Sequence, residues 1–268
     1  MLRRALLVSS LLMFAACALA QMQMPGTQSQ IQEVKPIAPV AQVSLTEATP
    51  EQLDERGDIL REEKNYLDAI DYYEASLKKK PDPVVYNKIG MTYLAMGNLE
   101  KAQNSIKKAV KLDKKYAEAI NNLGVTYYLK KKYGPAEKYY KKALTLRESA
   151  SFHSNLGTVY VEQKQFDKGM MEYARAYQLD PEVFERSSRT GVSARMQSPE
   201  DRARFFYLLA KLYASSGDVD KSLLYLKKSL EDGFPEIDKV YKDAEFASLR
   251  KDQRFAELMA QRPNAIPQ

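Results

Sequence analysis

Small and bulky apolar residues recur along the chain at a spacing near 34. Gly57, Gly90, Gly124 and Gly157 align, and three residues after them stand Leu60, Tyr93, Tyr127 and Tyr160. Twelve after the glycines come Ala69, Ala102, Ala136 and Gly169; sixteen after come Tyr73, Ile106, Tyr140 and Tyr173; nineteen after come Ser76, Ala109, Ala143 and Ala176. Self-similarity at this period is the mark of a repeat architecture. Each unit holds two helical stripes of about 14 residues, separated by a turn such as Met96-Gly97-Asn98 or Lys132-Tyr133-Gly134-Pro135. The spacing predicts that each glycine faces the later alanine where two antiparallel helices cross. It also predicts that the tyrosines and Ile106 fill the space between one hairpin and the next. A single hairpin cannot bury such a face alone, so neighbours must stack into an all-α solenoid.

A more divergent fifth unit carries Ala210, Tyr213, Ser222, Leu226 and Ser229 in the same register, with Gly217-Asp218 as its turn. Residues 183–198 exceed the period and read as an inserted loop. Ser198-Pro199-Glu200-Asp201 then restarts a helix with a cap, a proline and an acidic first turn. Beyond Gly233, the pieces Ile237 to Tyr241, Phe246 to Leu249 and Phe255 to Met259 predict a helical cap over the last apolar face. At the other end, Thr49-Pro50-Glu51-Gln52 predicts a helix start: Thr49 caps, Pro50 suits the first position, and Gln52 reaches back to the cap.

Residues 1–20 read differently. Arg3 and Arg4 precede an apolar run from Ala5 to Ala16, and Ala18-Leu19-Ala20 supplies the small residues of a cleavage site before Gln21. This is the pattern of a secretory signal peptide, and the run is shorter than the roughly 20 residues of a spanning helix. Phe14-Ala15-Ala16-Cys17 resembles a lipoprotein signal in which Cys17 is acylated, although such signals usually carry Leu where Phe14 stands. In the other reading Cys17 is a small apolar residue lost with the signal. Residues 21–48, rich in Gln, Pro and small side chains without a stripe, read as a disordered tether.

The repeat pattern resembles the tetratricopeptide repeat family. What the resemblance implies is a right-handed solenoid of antiparallel helix hairpins: four units over 50–182, a fifth over 199–234, and a helical cap and tail over 235–268. It also implies a concave groove lined by the first helix of each unit. The groove positions would be Asn87, Lys88, Met91 and Leu94 in the second unit, and Asn121, Asn122, Val125 and Tyr128 in the third. The fourth unit would add Ser154, Asn155, Thr158 and Val161. Amides beside apolar patches suit a peptide or protein segment. Some family members clamp a partner's terminal carboxylate, but of the corresponding residues (Asp54, Asp58, Lys88, Glu118, Asn122, or Asn87, Met91, Asn122, Ser151, Asn155) only Asn122 fits. Binding of that kind is not expected.

Composition narrows the chemistry. The 268 residues include one Cys and one His, which excludes a disulfide framework and a Cys/His zinc site, and no cofactor or metal is expected. His153 lies four residues before Gly157, at a packing position. Without a second imidazole, a phosphate loop or paired catalytic carboxylates, the chain predicts no enzyme.

Charge matters more than its net value of +6 suggests. Residues 21–77 hold 4 basic and 11 acidic side chains, whereas 78–142 hold 16 basic and 5 acidic. The excess comes in the runs Lys78-Lys79-Lys80, Lys107-Lys108, Lys114-Lys115, Lys130-Lys131-Lys132 and Lys141-Lys142, and a basic face would comprise Lys107, Lys108, Lys111, Lys138, Lys141 and Lys142. Lysines near the ends of second helices complement the helix dipole and aid solubility; alternatively they form a convex basic face for an anionic envelope surface. Nucleic acid is not an expected partner of an exported chain. The sequence therefore predicts a non-enzymatic scaffold of the bacterial cell envelope, periplasmic or secreted, or else an outer-membrane lipoprotein of pilotin type.

Overall fold

The computed structural model describes residues 45–184 and 198–261. The expected signal peptide, Cys17, most of the expected tether and nearly all of the expected inserted loop lie outside the described residues. Those described form eleven α-helices and three short 3-10 helices, with no strand among them. Ten α-helices form five successive pairs: α1 (Pro50–Glu62), α2 (Tyr66–Lys79), α3 (Pro83–Ala95), α4 (Leu99–Leu112), α5 (Ala117–Leu129), α6 (Tyr133–Leu146), α7 (Ala150–Glu162), α8 (Phe166–Leu179), α9 (Pro199–Ser216) and α10 (Val219–Glu231). Then come the 3-10 helices Ile237–Tyr241, Ala244–Ala247 and Leu249–Lys251, and last α11 (Gln253–Ala260).

Local chemistry starts the helices. Thr49 and Gln52 form a reciprocal capping box on α1: the Gln52 amide donates to Thr49 Oγ1 at 3.2 Å, and the Thr49 amide to Gln52 Oε1 at 2.9 Å. Asp82, Asn98, Ser198 and Asp218 cap α3, α4, α9 and α10 in the same sense. Ordered chain begins before α1, however. Ala48 is buried, and Lys79 Nζ donates to the Thr46 and Ala48 carbonyls at 2.7 Å each. A cation at the end of α2 thus collects backbone oxygens from the last residues of the expected tether.

Helices pair as α1/α2, α3/α4, α5/α6, α7/α8 and α9/α10, and each second helix packs on the first helix of the next pair. First helices α3, α5, α7 and α9 also touch in sequence, which makes the stack a solenoid. Inside a hairpin the contact differs from the expected one. A β-carbon on Gly57, Gly124 or Gly157 would sit 2.5–2.6 Å from a ring atom of Tyr73, Tyr140 or Tyr173, and one on Gly90 would sit 2.3 Å from Ile106. The glycine therefore receives chiefly the bulky residue sixteen positions on, and the small residue twelve on approaches through its carbonyl at Gly90 and Gly157. A flat ring covers bare backbone more completely than a methyl group does.

The turns also correct the sequence reading. Lys131, not Gly134, makes the turn between α5 and α6, with φ of 57°; Gly134 and Pro135 lie in the first turn of α6. Lys64 (φ 64°), Gly97 (75°), Lys164 (61°) and Gly217 (83°) occupy the same place in the other hairpins. Every hairpin thus needs one left-handed residue, and only two supply glycine for it.

Candidate binding surface

The surface of interest is built on α3, α5 and α7. Amides link the three helices head to tail. Asn155 Nδ2 donates to Asn121 Oδ1 at 3.1 Å, Asn121 to Asn122 at 3.3 Å, and Asn122 to Asn87 at 3.0 Å. Asn87 Nδ2 then reaches the Tyr116 hydroxyl at 3.4 Å. The four amides are at most 2% exposed. The repeat makes this possible, since Asn87, Asn121 and Asn155 come from successive first helices. Burial in a low-dielectric setting strengthens such a chain and makes breaking it costly.

Of the sequence-predicted groove residues, Asn87, Asn121, Asn122, Val125, Tyr128, Asn155 and Thr158 are therefore buried, as is Val161, rather than open to a ligand. Lys88, Met91, Leu94 and Ser154 are half-buried. Leu94 packs against the buried cluster of Ile106, Ala109, Ala119 and Leu123.

Lys88 is held from the first repeat. Its ammonium donates to both Asp54 oxygens at 2.8 Å and to Asp58 Oδ2 at 2.6 Å, and Asp58 accepts from the Tyr73 hydroxyl at 2.7 Å. Burial raises the Asp54 carboxyl above its usual range, against the pull of Lys88. Two aspartates thus already take the Lys88 ammonium.

Further along, Glu162 accepts from Tyr128 at 2.9 Å and from Tyr133 at 2.8 Å. Burial, reinforced by the Glu162 charge, drives the Tyr128 hydroxyl far above its ordinary value; burial and the Glu162 hydrogen bond push Tyr133 up to about 12. His153 is a half-buried packing residue that donates from Nδ1 to Glu172 at 2.6 Å, with Glu148 at 3.6 Å from Nε2. Among the described residues there is no group of His, Cys, Asp and Glu that could hold a metal ion, and no helix is long and apolar enough to cross a membrane.

The six lysines of the basic face are all exposed on α4 and α6. Lys108 lies 5.5 Å from the Tyr86 ring centroid, and Lys141 pairs with Glu137 at 2.7 Å. Sequence reasoning did not reach the amide chain or the Lys88 cluster. The one available signal was the recurrence of Asn at a spacing of 34 in positions 87, 121 and 155.

Comparison with known proteins agrees with this architecture. The tetratricopeptide repeat model matches residues 83–149, and a second model of the same description matches 150–183 and 203–231. The type IV pilus assembly protein PilF of Pseudomonas aeruginosa is 28% identical over 182 residues, covering 66% of this chain and 65% of its own length. The mitochondrial import receptor subunit TOM70 of Saccharomyces cerevisiae is 38% identical over 68 residues, 25% of this chain and 11% of the receptor. This chain thus spans just under two thirds of the pilus protein and a small part of the receptor. Among solved structures, PilW, described as a widely conserved type IV pilus biogenesis factor, superposes with a TM-score of 0.52 at 20% identity, covering 79% of this chain and 93% of PilW. That likeness is one of fold. With its repeats matched by the family models and its helix pairs stacked as such repeats stack, the chain belongs to the tetratricopeptide repeat family.

Proposed function

We propose that this protein is a non-enzymatic scaffold of the bacterial cell envelope that holds a peptide or protein segment along the first helices of its repeats. The observation that carries this reading is the row α3–α5–α7, whose buried amides join three helices into one unit. A surface fixed in this way loses little conformational freedom on binding, which favours affinity for an extended partner. Of the expected groove residues, Lys88, Met91, Leu94 and Ser154 are those with exposed area left to contribute. The asparagines act from beneath them as a frame.

An envelope location is supported by the signal-like residues 1–20 and by the similarity to a protein named for type IV pilus assembly. The same similarity favours a second reading, a pilotin-type outer-membrane lipoprotein anchored through Cys17. Intact mass of the purified protein separates the two: an acylated Cys17 at the terminus supports the anchor, and Gln21 at the terminus removes it.

The groove is tested by a photo-crosslinking residue placed at Met91 or Ser154 in cells, with exposed Lys251 as the control site. A discrete polypeptide should be captured from the first two positions and not from the third. Capture should be lost in a Lys88→Glu, Leu94→Ala background that retains its helical circular dichroism. Equal capture from all three sites, or none, would remove the groove reading.

A further inference from the structure

The outward faces of α4 and α6 carry a feature that the groove does not use. On α4 the buried stripe is Ala102, Ile106 and Ala109, and on α6 it is Ala136, Tyr140 and Ala143. At 100° per residue, Lys107, Lys108 and Lys111 lie opposite the first stripe, and Lys138, Lys141 and Lys142 lie opposite the second. All six are exposed. Lys107, Lys111, Lys138 and Lys142 have no carboxylate within ion-pair distance among the described residues.

Two ordinary explanations fail. Lysines that complement a helix dipole belong in the last turn, yet only Lys111 of α4 stands there and no basic residue does in α6. A face built for solubility mixes both signs of charge. Here like charges sit three and four apart on each helix, an arrangement that disfavours the helix. The preceding repeat presents Asp71, Glu74, Ala75 and Lys78 at the equivalent positions of α2, and the following one presents Met171, Ala174, Arg175 and Gln178 of α8. Each of those helices offers a single cation there, so the clustering of three lysines is particular to α4 and α6.

We propose that this face docks the protein on an anionic lipid bilayer. Every one of the six positions is Lys, a flexible hydrated point charge; Arg, which grips a carboxylate or phosphate in fixed bidentate geometry, is absent. A fluid layer of headgroups rearranges to meet such charges, whereas a rigid acidic protein face needs fixed forks. The rings that adjoin the face, Tyr86 at 5.5 Å from Lys108 and Tyr160 at 5.6 Å from Lys141, are each already met by a lysine. Lysines near an anionic bilayer each strengthen binding by about fivefold, so six reach useful affinity without a pocket.

The test is co-sedimentation of the full chain with vesicles of phosphatidylcholine alone or equimolar phosphatidylcholine and phosphatidylglycerol. Neutral vesicles report whatever the apolar stretch Ala5–Ala16 contributes, since that is independent of headgroup charge. The wild type should bind anionic vesicles more tightly, with the difference fading as salt rises. A variant with Lys107, Lys108, Lys138 and Lys142 changed to Gln should lose about tenfold or more of that preference. A second variant with Lys64, Lys227, Lys242 and Lys251 changed to Gln has the same net charge and should lose much less. Equal losses, or no preference for the anionic vesicles, would overturn the proposal. So would retention on soluble polyglutamate through the same four lysines without binding to vesicles. Crosslinking from Met91 is unaffected in either case, so the two readings fail separately.

Discussion

The ring of Tyr140 closes over Gly124 so tightly that a β-carbon on the glycine would lie 2.6 Å from Cε1. Tyr140 is fully buried and cannot swing into solvent. Gly124→Ala should therefore destabilise the protein by about 1–2 kcal/mol, since overpacking outweighs the helix propensity gained. Beyond its chain neighbours, Gly134 meets nothing within 4 Å in the first turn of α6. Gly134→Ala should change stability by less, because crowding of the new β-carbon against the Pro135 ring offsets the helix propensity gained. The urea midpoint of Gly124→Ala should fall further than that of Gly134→Ala.

The residue after each of these glycines decides whether the ring's hydroxyl is satisfied. Tyr73 donates to Asp58 at 2.7 Å and Tyr173 to Thr158 at 3.2 Å. At the equivalent place beside Tyr140 stands Val125, and the Tyr140 hydroxyl has no hydrogen-bond partner. Val125→Thr should add about 0.5–1.5 kcal/mol by supplying one. The gain should vanish when Tyr140 is changed to Phe in the same background, as denaturant unfolding of the double-mutant cycle would show.

Cutting the amide chain at its middle should cost more than a surface substitution. Asn121→Ala removes the acceptor of Asn155 and the donor to Asn122, and an unpaired buried group costs about 1–3 kcal/mol. Because both substitutions break the same bond, Asn121→Ala and Asn155→Ala combined should cost less than their sum, with a coupling of about 0.5 kcal/mol or more. Strict additivity would mean that the two amides act independently.

The left-handed lysines offer a different contrast. At Lys131, with φ of 57°, glycine relieves the clash between the β-carbon and the backbone, and Lys131→Gly should stabilise by up to about 1 kcal/mol. Lys164 shares the conformation, but its ammonium meets the buried Asp201 at 2.5 Å across to α9. Lys164→Gly should bring no gain or a loss, because Asp201 is left without its cation. Thermal unfolding of the two variants distinguishes strain relief from the lost pair.

Much of the candidate site was invisible along the chain. Nothing about Lys131 announces a left-handed turn, and the Gly134-Pro135 pair nearby is the stronger turn signal, which places the expected boundary too late. The amides at 87, 121 and 155 looked like groove contacts because a recurring polar residue on a first helix gives no sign of which way it turns. Lys88 reads as a free cation until Asp54 and Asp58, 34 and 30 residues earlier, are brought beside it.

The period and the alternation of small with bulky side chains are properties of order in the chain, and they specified helix pairs, their lengths and the stacking on their own. Helical packing is largely local, so its rules can be read from neighbours a few residues apart. Hydrogen-bond partners one repeat away are another matter. Whether Asn122 finds Asn87, Glu162 finds Tyr128, or Tyr140 finds nothing depends on ångström-scale placement of adjacent hairpins. Hydrogen bonds demand that closeness and fall away steeply beyond it, so only the assembled stack could decide them.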